Sequence, residues 1–247
     1  MVGIVIVSHS AALAEGAAEL ARQMGGAAPI EAAGGLDEPG SPLGTDAALV
    51  LAAIERAYSD DGVLVLMDLG SAVMSAELAV EMLEPARQAR VRLSAGPLVE
   101  GAVAAVATAG TGATLEAVAR EVDRSLEAKV EHLRGDSGGS EGVGDEPEEG
   151  PGEPQGDGVV AHLVIHNPTG LHARPAARFV KTASAFGAQV MVTNLTKGKG
   201  PANARSLVSV TTLGVSSGDT IKIEARGDGA KEVISALEAL AGRNFDE

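Results

Sequence analysis

Two histidines stand where an imidazole can act as a nucleophile. His9 follows the apolar run Val2-Gly3-Ile4-Val5-Ile6-Val7 and is flanked by Ser8 and Ser10. A neutral ring nitrogen can accept a phosphoryl group, and a carboxylate on the other nitrogen fixes the tautomer. Asp68, at the end of a second apolar run from Val63 to Met67, is the candidate orienting group. The plainer readings are a polar residue that ends a strand, for His9, and a turn or helix cap, for Asp68. His172 lies in Gly170-Leu171-His172-Ala173-Arg174-Pro175-Ala176. Pro175 suits a first helical turn, which puts His172 at or just before a helix N-terminus. Free N–H groups and the positive dipole end receive an anion there, and Arg174 adds a fixed cation. The plainer reading is a capped helix with an incidental histidine.

The elements around these residues fall into two units. The chain of 247 residues has a formal net charge of −15, unevenly spread. Residues 1–133 hold 19 acids and 8 bases, 135–158 hold 8 acids and no base, and 159–247 hold 7 acids and 10 bases. The middle stretch has nine Gly and three Pro in 24 positions, with Val143 its single larger apolar residue. Such a segment buries too little surface to offset its ordering entropy, so it reads as a flexible, self-repelling linker. The expected organisation is a first domain over 1–134, a linker over 135–158 and a second domain over 159–247.

The first domain reads as doubly wound α/β with a parallel sheet. Short β-branched runs at 1–8 and 63–67, a possible strand at 28–33 and a run at 91–95 alternate with helical stretches. Helices are expected over 11–24, from a cap at Thr45 or Asp46 to Tyr58, from about 70 to Pro85, and over 99–109 and 114–133. The turn-forming run 34–44 reads as a loop. In such sheets function collects at the carboxyl ends of strands, where His9 and Asp68 lie. The second domain reads as α+β, an open-faced sandwich in the order β-α-β-β-α-β-α. Its strands are expected near 159–166, 188–193, 197–202 and 220–225. Its helices are expected from the His172 turn to about Phe186, over 205–213 and over 229–241.

Composition removes several classes. With no Cys, disulfides, thiolate metal sites and thiol nucleophiles are excluded. Aromatics are 2%, which with the acidic balance argues against nucleic acid as a partner. Neither Gly-x-x-x-x-Gly-Lys-Ser/Thr nor Gly-x-Gly-x-x-Gly follows the first strand, so nucleotide binding by this chain has little support. No metal site is expected. His162 and His166 share a strand face but have no neighbouring carboxylate, and His132 reads as solvated on a charged helix. The N-terminal apolar run is too short to span a membrane and no base precedes it, so no membrane association and a cytoplasmic location are expected.

The segments Val7-Ser8-His9-Ser10, Gly34-Gly35-Leu36-Asp37-Glu38-Pro39 with Gly44-Thr45-Asp46, Met67-Asp68-Leu69-Gly70-Ser71-Ala72, and Ala95-Gly96-Pro97-Leu98-Val99-Glu100-Gly101 occur in that order. Together they resemble the phosphotransferase subunits (the DhaM family) of phosphoenolpyruvate-dependent dihydroxyacetone kinases, relatives of mannose-type EIIA domains of the phosphotransferase system (PTS). The motif around His172 resembles the histidine-containing phosphocarrier HPr. The resemblance implies phosphorylation of His9 and His172, stabilisation by Arg174, and orienting or phosphate-stabilising roles for Asp68, Ser10, Gly70 and Ser71. Ala204-Arg205-Ser206-Leu207 resembles the regulatory serine region of HPr, although Ser206 reads better as a helix N-cap. The stretch 194–201 looks longer than in typical HPr members.

The implied relay runs from phosphoenolpyruvate through enzyme I to His172, then to His9. From there it passes to ADP held in a DhaL kinase subunit, which makes ATP for dihydroxyacetone bound by DhaK. No cofactor is bound directly. Longer relatives append a truncated enzyme I domain, and that step is expected from a separate protein. A homodimer through the first domain is also implied. The alternatives are an EIIA–HPr fusion serving a mannose-family sugar transporter, a regulator controlled by phosphorylation, and a purely structural interaction protein.

Overall fold

A computed structural model of the chain describes residues 1–25, 28–36, 43–134 and 158–246. The expected linker, apart from Gly158, lies outside the described residues, as do 37–42 of the turn-forming run.

In the first domain β1 (Gly3–Ser8), α1 (Ala11–Gly25), β2 (Ile30–Gly34), α2 (Ala47–Ala57), β3 (Val63–Met67), α3 (Gly70–Glu81), the short α4 (Pro85–Gln88), β4 (Val91–Ser94) and α5 (Leu98–Ala109) alternate. The strands form a parallel sheet in the order β2-β1-β3-β4, with Ile4 opposite both Ile30 and Leu64. Period-two alternation sorts the buried strand residues between two faces. Ile4, Ile6, Leu64 and Leu66 pack with α1 and α5 through Ala14, Ala18, Ala102 and Val106. Val5, Val7, Val63 and Val65 pack with α2 and α3 through Ile54, Ala72 and Ala76. Alanine-rich helix faces thus fill an interior that has almost no aromatics. Tyr58, the chain's single Tyr, lies beneath the Arg87 guanidinium, 4.8 Å from ring centroid to Cζ.

One expected helix is two. α6 (Leu115–Asp123) ends at Arg124, and α7 (Glu127–Arg134) follows. The Ser125 hydroxyl donates to the Val122 carbonyl at 2.7 Å, and the Glu127 N–H donates to Arg124 O. A short hydroxyl that satisfies a nearby carbonyl competes with helix continuation.

The second domain contains β5 (Val159–Val164), α8 (Ala173–Ser184), β6 (Gln189–Asn194), β7 (Lys199–Asn203), α9 (Leu207–Thr212), β8 (Thr220–Arg226) and α10 (Ala230–Gly242). Its antiparallel sheet has the order β5-β8-β6-β7. Helices cover one face, where Phe179, Val180, Ile221, Ile223, Val233 and Leu237 are buried. The other face carries Val160 and Val164, which are about half exposed, so the sandwich is open as expected. The two domains touch: α7 packs on α9, and α8 lies against α1 and α5.

Candidate functional site

His9 occupies the turn from β1 into α1, beside the end of β3. The parallel register Val7↔Met67 carries Asp68 to the same height. Asp68 Oδ2 accepts the His9 N–H at 2.9 Å and the Ser8 Oγ–H at 2.8 Å. Its Oδ1 lies 2.9 Å from His9 Nδ1 and accepts the Leu69 N–H at 2.7 Å. Burial alone would raise the Asp68 carboxyl, but the donors from His9, Ser8 and Leu69 outweigh it and hold its pKa below the usual value. An ionised carboxylate only accepts, so His9 Nδ1 is the donor to Asp68, and in the neutral ring Nε2 then carries the lone pair. Nε2 faces the Ser71 hydroxyl in the first turn of α3, within hydrogen-bond reach.

That first turn offers more. Leu69, the N-cap of α3, makes no side-chain cap, and Gly70 has open space on its Cα. The opening N–H groups of a helix have no intrahelical acceptor and carry the positive dipole end. Thr45 Oγ1 supports the turn, 2.8 Å from Ser75 Oγ and 3.3 Å from the Ser71 carbonyl. The flanks of the 35–44 run close on the His9 turn, because Gly35 donates to Ser8 O and Gly44 to His9 O. A Cβ on Gly34 would stand 2.7 Å from Ser8 O, so only glycine permits this approach. Ser10 points its Oγ at the Leu13 N–H at 3.3 Å and serves as the cap of α1.

His172 is placed differently. It is the exposed N-cap residue of α8 and makes no side-chain cap bond. Backbone bonds hold it: Gly170 N–H donates to Asn167 O, and Leu171 N–H to Val215 O. The Asn167 amide donates to Gly170 O at 2.6 Å. Gly170 has φ +65°, and a Cβ there would lie 2.1 Å from Val215 O. A cavity of about 440 Å³ opens beside the ring, lined by Pro168, Thr169, His172, Ser216 and Ser217. Burial would raise the Asp219 carboxyl, but the Ser216 N–H, Asn194 and Lys197 together lower it. That carboxylate accepts the Ser216 N–H at 2.9 Å, and Lys197 Nζ donates to Ser216 Oγ at 2.9 Å. Arg174 is exposed on the first turn of α8 and does not line the cavity.

Ser206 is the N-cap of α9, accepting from the Ser209 N–H at 3.0 Å. His162 and His166 are exposed, and the side chain of His132 is outside the described residues. Among the described residues no group of three or more His, Cys, Asp or Glu could hold a metal. No helix among them is long and apolar enough to cross a membrane. Residue types alone did not single out Ser8, Ser216 or Ser217, and gave Thr45 only as a candidate cap of α2, a place that Asp46 takes. Ser8 had a signal, since it alternates with the buried face of β1 yet is polar.

Residues 3–119 match the model of the EIIA-man family, described as the PTS system fructose IIA component. Residues 159–242 match the PTS HPr component phosphorylation site. The whole chain is 43% identical over 251 residues to an Escherichia coli protein described as the phosphoryl donor subunit DhaM of a PEP-dependent dihydroxyacetone kinase. It is 41% identical over 254 residues to the Klebsiella michiganensis protein of the same description. In both cases the match covers 100% of this chain and 51% of the relative, so the chain spans about half their length. A crystal structure of HPr from Thermoanaerobacter tengcongensis is 43% identical, covering 36% of this chain and 97% of that one, with a TM-score of 0.34.

Proposed function

We propose that this chain, whose two domains belong to the EIIA-man and HPr families of the PTS, passes phosphoryl groups from His172 to His9 as part of a phosphoryl donor subunit like DhaM. The observation that carries the reading is the Asp68–His9–Ser71 alignment. It turns Nε2 toward the Ser71 hydroxyl and the first turn of a helix.

In the transfer step the His9 Nε2 pair attacks phosphorus and a new P–N bond forms. The P–N bond to His172 breaks, and the electron pair returns to the His172 ring. His9 then bears positive charge, which the Asp68 carboxylate offsets through Nδ1–H. The Ser71 hydroxyl and the opening N–H groups of α3 face the phosphoryl oxygens. Phosphoryl transfer needs positioning and charge stabilisation more than covalent help, and these groups supply both. At the carrier end, the Arg174 cation and the opening N–H groups of α8 hold the group on His172.

The donor to His172 is enzyme I, charged by phosphoenolpyruvate. The acceptor beyond His9 is ADP held in a DhaL-type subunit, with dihydroxyacetone on a DhaK-type partner. A dimer through the first domain belongs to the same reading. Residues 135–158 join the two domains in the sequence, where they read as a linker. A Gly-rich coil of that length spans roughly 25–30 Å, which gives an effective concentration on the order of millimolar.

The test uses labelled phosphoenolpyruvate, enzyme I and the kinase subunits. His9→Ala is expected to take label at His172 and to support no dihydroxyacetone phosphorylation. Labelling of His9 in a chain that lacks His172, with no other HPr present, would overturn the order.

A further inference from the structure

The hydrogen bonds and ion pair described across the domain contact involve neither His9 nor His172. Glu121, on α6 of the first domain, reaches the start of α9 in the second. Its Oε2 accepts the Ser206 Oγ–H at 2.9 Å and the Val208 N–H at 3.3 Å. Lys199 Nζ pairs with Glu131 of α7 beside it. Ser206 is 7% exposed and Val208 3% exposed, so the contact covers the α9 face. Buried apolar residues of the two domains form one continuous cluster across it.

Neither reacting imidazole takes part. The cavity beside His172 is lined by residues of its own domain alone. The side chains that hold His9, Asp68 and Ser71, likewise belong to its own domain. In a transfer complex each ring would be covered by the other domain, with a single phosphorus between two nitrogens. The contact is also imperfectly filled. It holds an open polar pocket of about 490 Å³, lined in part by Thr108, Arg120, Glu121, Ser184 and Arg205. Thr108 Oγ1, Ser184 Oγ and Arg205 Nε in its wall are buried with no protein partner. A contact that combines an apolar patch with a polar pocket and unpartnered buried polar atoms opens more readily than a core packed throughout.

We propose that the α8/α9 face of the second domain docks on the α1/α5/α6/α7 face of the first within one chain, in a resting contact that Glu121 latches and that must open before His172 reaches His9. The occupant is this chain's own first domain. The choice rests on the Glu121 bonds, on the acidic first domain facing the basic second, and on the tether that joins them. The consequence for transfer builds on the relay reading, while the docking itself does not.

The chain has no Cys, so a pair introduced by mutation is its single thiol pair. Glu121→Cys with Ser206→Cys is treated with a bismaleimide of about 8 Å reach, and so is Glu131→Cys with Lys199→Cys, which keeps the Glu121 latch. Both pairs are expected to join within one chain at least tenfold faster than Glu55→Cys with Ser206→Cys, whose first position lies on the opposite helix layer. Equal rates, or joining between chains only, would overturn the docking. This readout needs no phosphate, so it stands apart from the relay. At high dilution the joined Glu131/Lys199 chain is expected to load His172 from enzyme I. Its transfer to His9 should be at least tenfold slower than in the unjoined chain. Transfer to His9 less than tenfold slower, or failure of His172 to load in the joined chain alone, would overturn the resting-contact role. Loading without transfer in the unjoined chain would count against the relay reading instead.

Discussion

The two histidines of the proposed relay are held by opposite means. His9 is gripped by side chains from three places in the sequence: Asp68 fixes its tautomer, Ser71 faces the reactive nitrogen, and Ser8 anchors Asp68. The His172 ring makes no side-chain cap bond, and its loop is placed by the Gly170 and Leu171 backbone with the Asn167 amide behind it. A ring held by side chains is tuned for one reaction geometry. A ring held by backbone at an open helix end can be approached by several partners, as a carrier between a donor and an acceptor must be.

Removing the carrier should break the comparison most completely. His172→Ala is expected to reduce enzyme I-dependent labelling of His9 to background, and added separate HPr should restore it, as read by acid-labile label on each histidine. Asp68→Asn should separate the two sites. It keeps the shape but loses the tautomer control, and transfer through His9 should fall roughly 10- to 100-fold. Loading of His172 should be unchanged in single-turnover labelling. The mirror test is Arg174→Ala, which should slow loading of His172 by about tenfold or less and leave the His9 tautomer intact.

Acid should distinguish the domains through stability. Both Asp68 and Asp219 are held below their ordinary values in the folded chain. A depressed carboxylate stabilises the fold above its unfolded pKa, and that stability is lost as pH falls through the folded value. Thermal unfolding from pH 5 downward should show both domains weakening. Asp68→Asn should flatten the pH dependence of the first domain alone, and Asp219→Asn that of the second. The smallest effect concerns a cap. Ser10→Ala should cost about 1 kcal/mol of first-domain stability, read by denaturant unfolding.

Much of this was legible in the residues. The apolar runs of β1 and β3 fixed the parallel sheet, since each is buried on both faces and bounded by a polar residue at its carboxyl end. The Gly170–Ala176 motif located the α8 turn because Pro175 and Gly170 each admit few backbone shapes. The break between α6 and α7 was not legible, because it rests on a hydroxyl-to-carbonyl bond at Ser125 that leaves helical periodicity intact. Nor was the Ser216 wall of the His172 cavity, which depends on Asp219 and Lys197 meeting across two strand ends. Glu121 at Ser206 is the extreme case: 85 residues separate them, and no local pattern encodes the meeting.

The Arg87–Tyr58 stack has an optical consequence. Tyr58 is the chain's single Tyr, there is no Trp, and all three Phe lie in the second domain at positions 179, 186 and 245. Absorbance at 280 nm and tyrosine emission therefore report the first domain alone, with a guanidinium 4.8 Å above the fluorophore. A melting curve followed at 280 nm is blind to the second domain. Concentrations taken from absorbance at 280 nm rest on one phenol ring in 24.7 kDa of protein.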